Sequence, residues 1–180
     1  MIWPLGRWHR RMVLVEVTIT HLEMTSRDQL VAGKLPPADI ALHPAGVDAL
    51  ALIRSTHNRI AAAHHWLSLG WSEQRWMNLL DRPGVQCWIA RVDVDIIGLI
   101  LMQRHARGDV EITKFGLVPE WVGRGFGGHL LTLATQLAWG LGSVDRVWLA
   151  TTSIDHPHAL SNYRARGFRP FRVERAPRQV

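Results

Sequence analysis

Hydrophobic and polar positions first alternate over residues 13–20, VLVEVTIT, and a period of two in β-branched side chains predicts a strand. Residues 25–46 carry Gly33, Pro36, Pro37, Pro44 and Gly46 and read as a long irregular connection. Over residues 47–69 the apolar spacing turns helical, through Ala49, Leu52, Ile60, Ala63 and Trp66, with a break over 56–58 that divides it into two helices. A short helix is predicted over 71–80, N-capped by Ser72 and stopped by Pro83-Gly84. Three strand-like runs follow, QCWIARV, IIGLILMQ and VEITKFGLV, with turns at 93–95 and 106–109, the pattern of an antiparallel meander. After a glycine cluster, Leu130, Leu133, Leu137 and Leu141 mark a helix, 146–151 a strand, 159–166 a short helix and 168–173 a last strand. This order predicts an α+β fold, a mixed, mostly antiparallel sheet flanked by helices. No linker divides the chain, so one domain over 1–180 is expected, with 1–11 and 175–180 as flexible tails and Met12 as an alternative start.

Composition narrows the class. A chain of 180 residues can bury a full core, and 47% hydrophobic with 20% charged residues is a globular balance. No apolar run nears the ~20 residues that span a bilayer, and residues 1–11 lack the apolar core of a signal peptide, so no membrane partner and a cytoplasmic location are expected. Cys87 is the only cysteine; it excludes an internal disulfide and a cysteine-based zinc site, and it reads as a core residue. His156-Pro157-His158 is too short and isolated to argue for a metal, and none is expected. The formal charge of +6 comes largely from C-terminal arginines, which read as a solvated face or a phosphate contact before they read as a nucleic-acid surface.

The chemistry concentrates in residues 110–129, VEITKFGLVPEWVGRGFGGH, where a strand passes through a proline into glycines and then a helix. Gly123, Gly125, Gly127 and Gly128 let the backbone turn tightly and aim its N–H groups at an anion, and the positive end of the helix opening near Phe126 points the same way. Arg124 adds a full charge. Gly123, Gly125 and Gly128 also fit G-x-G-x-x-G, but a dinucleotide fingerprint needs its first glycine directly after the strand and an acid ending the next one. Val118 to Val122 intervene, and Asp145 precedes the next strand instead of ending it. No Gly-Lys-Ser/Thr makes a P-loop either.

The stretch resembles the acyl-CoA loop of the GCN5-related N-acetyltransferases, Gln/Arg-x-x-Gly-x-Gly/Ala after a strand ending in V-x-P. Here Gly116, Leu117, Val118 and Pro119 lead to Val122-Gly123-Arg124-Gly125-Phe126-Gly127, with Val122 where the family has Gln or Arg. Ala159, Tyr163, Gly167 and Phe168 match the family's closing A-x-x-x-Y-x-x-x-G-F segment. The resemblance implies acetyl-CoA as co-substrate, held at Gly116, Leu117, Val118, at Gly123 through Gly128 and at His156, which stands where the family often has a cofactor-touching asparagine. It also implies a gap between the strand before the loop and the strand after its helix, where the pantetheine arm enters.

Two residues become catalytic candidates. The resemblance puts Tyr163 beside the CoA sulfur as proton donor, against the alternative of a core aromatic. Alignment of the glycine loops puts Glu111 on the base of the histone-acetyltransferase branch, against the alternatives of an outward strand residue, with water or His156 as base. Trp66, Trp71 and Trp76 recur near the helices expected to cover the acceptor, as an apolar or cation-binding wall or as core. The reading is direct acetyl transfer to a primary amine of a small molecule; a protein lysine or N-terminus, or a non-catalytic acyl-CoA-binding regulator, are the alternatives. A homodimer fits the same reading.

Overall fold

The computed structural model describes residues 13–179. The tail expected over 1–11 and the choice of start at Met12 lie outside the described residues. Seven strands form one sheet: β1 (Leu14–Met24), β2 (Ala41–Pro44), β3 (Val85–Val92), β4 (Asp95–Arg104), β5 (Asp109–Leu117), β6 (Arg146–Thr152) and β7 (Arg169–Gln179), in the order β2-β3-β4-β5-β6-β1-β7. Every pairing is antiparallel except β5 with β6. The helices are α1 (Leu50–Ala62), α2 (Glu73–Leu80), α3 (Gly127–Trp139) and α4 (Ala159–Ala165).

Both faces of the sheet are covered, which makes two cores. Ile53 and Ile60 of α1 and Trp76 of α2 pack on Ile89, Leu99 and Leu101, while Leu130, Leu131 and Ala134 of α3 and Tyr163 of α4 pack on Ile100, Met102, Val147 and Leu149. β4 lies between them, and its continuous apolar run reflects burial on both sides. Cys87 sits in the α1-side core, where burial pushes its thiol up to about 12 and removes thiolate chemistry at neutral pH.

The predicted meander is β3–β4–β5, and the capped helix is α2, with the Ser72 hydroxyl accepting from Arg75 N at 3.2 Å. Several boundaries differ. α1 runs unbroken through 56–58, because Thr56 and His57 are buried inward instead of marking a polar break; the helix ends near His65, whose φ is 49°. The connection over 25–46 contains β2, a short edge strand that tolerates Pro44 where no inner ladder needs its N–H. Residues 175–179, expected as tail, continue β7 and pair with Leu14 to Thr18 of β1.

One pairing shapes the site. β5 and β6 run together only at Asp109↔Arg146, Val110↔Val147 and Glu111↔Trp148. Arg146 closes that end, giving Nε and Nη2 to the two carboxylate oxygens of Asp109 at 3.1 and 2.7 Å and Nη1 to Glu23 of β1 at 3.3 Å. Past Glu111 the two strands part. Removing the fork in Arg146→Met leaves two part-buried carboxylates without their donors, so chemical denaturation should show a loss of about 2 kcal/mol.

Candidate active site

Where β5 and β6 diverge, a cavity of about 1050 Å³ opens. Ile60 and His64 line it from the α1 side, and Gly127, Asn162 and Tyr163 from the α3 and α4 side, so it passes through the sheet. A β-bulge shapes its edge. Met102 pairs with Ile112 but Leu101 pairs with Lys114, which leaves Thr113 as the extra residue on β5, its hydroxyl donating to Leu101 O at 3.1 Å. Bulges re-aim side chains, and this one reverses the alternation. Val110 and Ile112 face α3; beyond the bulge Phe115 and Leu117 do so, and Lys114 and Gly116 turn to α1.

The glycine loop forms the α3-side mouth. Gly123 and Gly125 have φ of 80° and 87°, a left-handed backbone that side chains resist. α3 starts at Gly127 with no side-chain N-cap, so the N–H groups of its first turn are left for an anion. Of the predicted residues, Gly116, Leu117, Gly123, Gly125, Gly127, Gly128, His156 and Tyr163 all line the cavity.

Four others do not, each for a visible reason. Val118 is wholly buried in the α1-side core, its N–H donating to Ile97 O. Phe126 is a core residue set edge-on to Trp121, with centroids 5.1 Å apart. Arg124 is exposed and lies over the Trp121 ring at 5.2 Å, away from the wall. Glu111 stands at the closed end of the strand pair, where its carboxylate accepts from His105 Nε2 at 3.2 Å.

Tyr163 is buried between Phe115 and Phe168, and its hydroxyl makes no hydrogen bond to the described residues. Burial first, then the charge of Asp155, pushes its pKa above the usual phenol value, so the proton stays on oxygen through neutral pH. His156 and His64 meet on the wall with ring centroids 5.9 Å apart. Burial pulls the His64 pKa below its ordinary value, which favours the neutral ring, a proton acceptor.

Sequence reasoning passed over Asp155 as a site residue in its own right. It accepts from Trp66 Nε1 at 3.0 Å, Thr151 Oγ1 at 2.7 Å and Thr152 N at 2.8 Å, fixing the Trp66 wall to the end of β6. Lys114 gave no signal either, because only the bulge directs it into the cavity. Among the described residues no three His, Cys, Asp or Glu side chains gather as metal ligands, and no helix is long and apolar enough to cross a membrane.

The family model for the acetyltransferase (GNAT) family matches residues 50–168. The chain belongs to the GNAT family. No curated protein matches it by sequence. A GCN5-related N-acetyltransferase from Kribbella flavida superposes with a TM-score of 0.65 at 17% identity, over 93% of this chain and 59% of its own. One from Sphaerobacter thermophilus gives 0.65 at 21%, over 92% and 53%. An aminoglycoside acetyltransferase, meta-AAC0020, from an uncultured soil metagenomic sample, in complex with sisomicin, gives 0.58 at 14%, over 70% and 86%. These likenesses are of fold, and the chain spans little more than half the length of the first two. GNAT enzymes are CoA-dependent acyltransferases.

The α1-side wall of this GNAT domain is tied down by a buried histidine. His57 Nε2 and Ser68 Oγ lie 2.8 Å apart, and Nδ1 lies 3.1 Å from Asn58 Oδ1. An amide oxygen only accepts, so Nδ1 carries the proton and Nε2 accepts the Ser68 hydroxyl. This pins the 3-10 turn Leu67–Gly70, and with it Trp66, to α1. Burial lowers the His57 pKa from 6.5 to about 4. Below the unfolded value of 6.5 the unfolded chain takes up a proton that the fold refuses, so this stability is whole above 6.5 and is lost as pH falls towards 4. Urea titrations should show a loss of roughly 3 kcal/mol across that window, which His57→Gln removes.

Proposed function

We propose that the chain is an acetyl-CoA-dependent N-acetyltransferase that transfers directly to a primary amine of a small molecule. The observation that carries this is the cavity through the sheet, with an anion cradle at one mouth and an aromatic chamber at the other. Acetyl-CoA would supply the activated thioester. The N–H groups of Gly123 to Gly128 and of the first turn of α3 would hold its pyrophosphate, and the β5 edge past Glu111, unpaired on the β6 side, offers backbone groups to the pantetheine arm. Tyr163 would donate its hydroxyl proton towards the departing thiolate. In so dry a setting both phenolate and thiolate are disfavoured, which keeps the two acidities comparable although burial raises that of the phenol. His156 and His64 lie on the cavity wall and Glu111 does not, so the amine proton is assigned to the histidine pair or water.

Space beyond Tyr163, walled by Trp66, Leu67 and Trp71, supports an enzyme over a silent acyl-CoA-binding regulator, which needs no room there. The same walls favour a small acceptor over a protein tail.

A Val side chain at position 125 would force a left-handed backbone to strain and crowd the cradle, so Gly125→Val should abolish acetyl-CoA binding in calorimetry while the fold persists. Unchanged affinity would remove the cradle from the reading. Tyr163→Phe should lower turnover by ~10²–10⁴-fold with little change in CoA affinity. Glu111→Gln should change kcat/KM by less than about twofold, whereas His156→Ala should lower it by about tenfold.

A further inference from the structure

Lys114 is a cation with no anion paired to it among the described residues. Its side chain enters the cavity on the α1 face, where its Nζ lies 5.3 Å from the Trp71 ring centroid and 5.8 Å from that of Trp66. No carboxylate of the described residues forms an ion pair with it. The acids near enough to influence it are engaged elsewhere: Glu111 with His105, and Asp155 with three donors. Arg75 adds a second positive charge, stacked on Trp71 at 4.0 Å. Burial draws the Lys114 pKa below the usual lysine value, the mark of an ammonium group short of stabilising charge.

The strand bulge makes this placement deliberate. Strict alternation from Val110 and Ile112 would send residue 114 into the α3-side core, and the extra residue Thr113 turns it to the other face. Gly116, two residues on, shares that face, since a Cβ there would stand 2.7 Å from Ile60 of α1. The glycine loop lies on the opposite face, so CoA phosphates held there would not reach Lys114.

We propose that the acceptor is an amine that also carries a carboxylate, and that Lys114 receives this carboxylate against Trp66 and Trp71. The inference rests on the acetyl-transfer reading and narrows its acceptor to amino-acid-like molecules. A carboxylate there gains a charge-assisted hydrogen bond in a setting water screens poorly, and the amine end of the same molecule is left to face the thioester.

The test uses matched sets: leucine, phenylalanine and methionine, each beside its α-amide and its α-decarboxylated amine, assayed by thiol release from acetyl-CoA. Within a set, the acid should exceed its amide in kcat/KM by about tenfold or more, and Lys114→Met should bring that ratio to about one, mainly through KM. Lys114→Arg, which keeps the charge, should restore part of the preference. Amides or decarboxylated amines used as well as the acids, or a preference that survives Lys114→Met in a protein of unchanged circular dichroism, would overturn the proposal. A second readout separates it from failure of acetyl transfer itself. Titration with 3-phenylpropionate, a carboxylate without an amine, should quench tryptophan fluorescence in the wild type and not in Lys114→Met. If acetyl-CoA binds and no amine is acetylated, that Lys114-dependent quench keeps the anion site and sinks the transfer reading; its absence sinks the anion site.

Discussion

Two strands that part within a sheet leave N–H and C=O groups facing a gap, and such groups must find partners or water. Here the parting is held between two fixed points. Arg146 forks onto Asp109 and reaches Glu23 at the closed end, and the bulge at Thr113 adjusts β5 where it begins to diverge from β6. Slide either strand by one residue and the side chains exchange faces, so the fork preserves the register on which the whole cavity depends. The charged clamp of Arg146, Asp109 and Glu23 sits outside the cavity lining, so it can hold the register without occupying the cavity.

The sheet then acts as a partition between two chemical environments. On the α3 side the backbone supplies partial positive charge from the glycine loop and the helix end, suited to a diffuse anion and indifferent to side-chain identity. On the α1 side the wall is made of side chains, Trp66, Trp71, His64 and Lys114, each of which can vary without disturbing the loop. A fold built this way can keep one ligand and change the other. Asp155 links the two, since it holds Trp66 while its charge is felt at Tyr163.

The sequence made the α3 side legible because glycines answer to local backbone demands, and Gly123 and Gly125 stand where left-handed φ values are needed. The meander was legible from alternation alone. Phe126 and Val118 lay inside the same motif yet serve the cores, because a motif locates backbone and says nothing of where each side chain points. Lys114 was invisible for the opposite reason: one extra residue, unmarked by glycine or proline, reverses the face. The same limit explains α1, where Thr56 and His57 look like a break until Ser68 supplies a partner from the next turn. It also explains β2, which is held by its ladder to β3 and by Leu42 against the α3-side core, contacts that four residues ending in a proline do not announce.

β1 lies between β6 and β7, strands from the opposite end of the chain. During synthesis it leaves the ribosome before the other six strands and must wait for both neighbours, its two hydrogen-bonding edges bare, while β3, β4 and β5 can zip locally as a meander. Closing so long a loop is entropically slow, and Arg146 cannot join Glu23 until it is closed. The half of the sheet that completes the cavity is thus the last to assemble, and a chain halted before β6 would present a meander with no site and an unpaired β1 open to association with other chains.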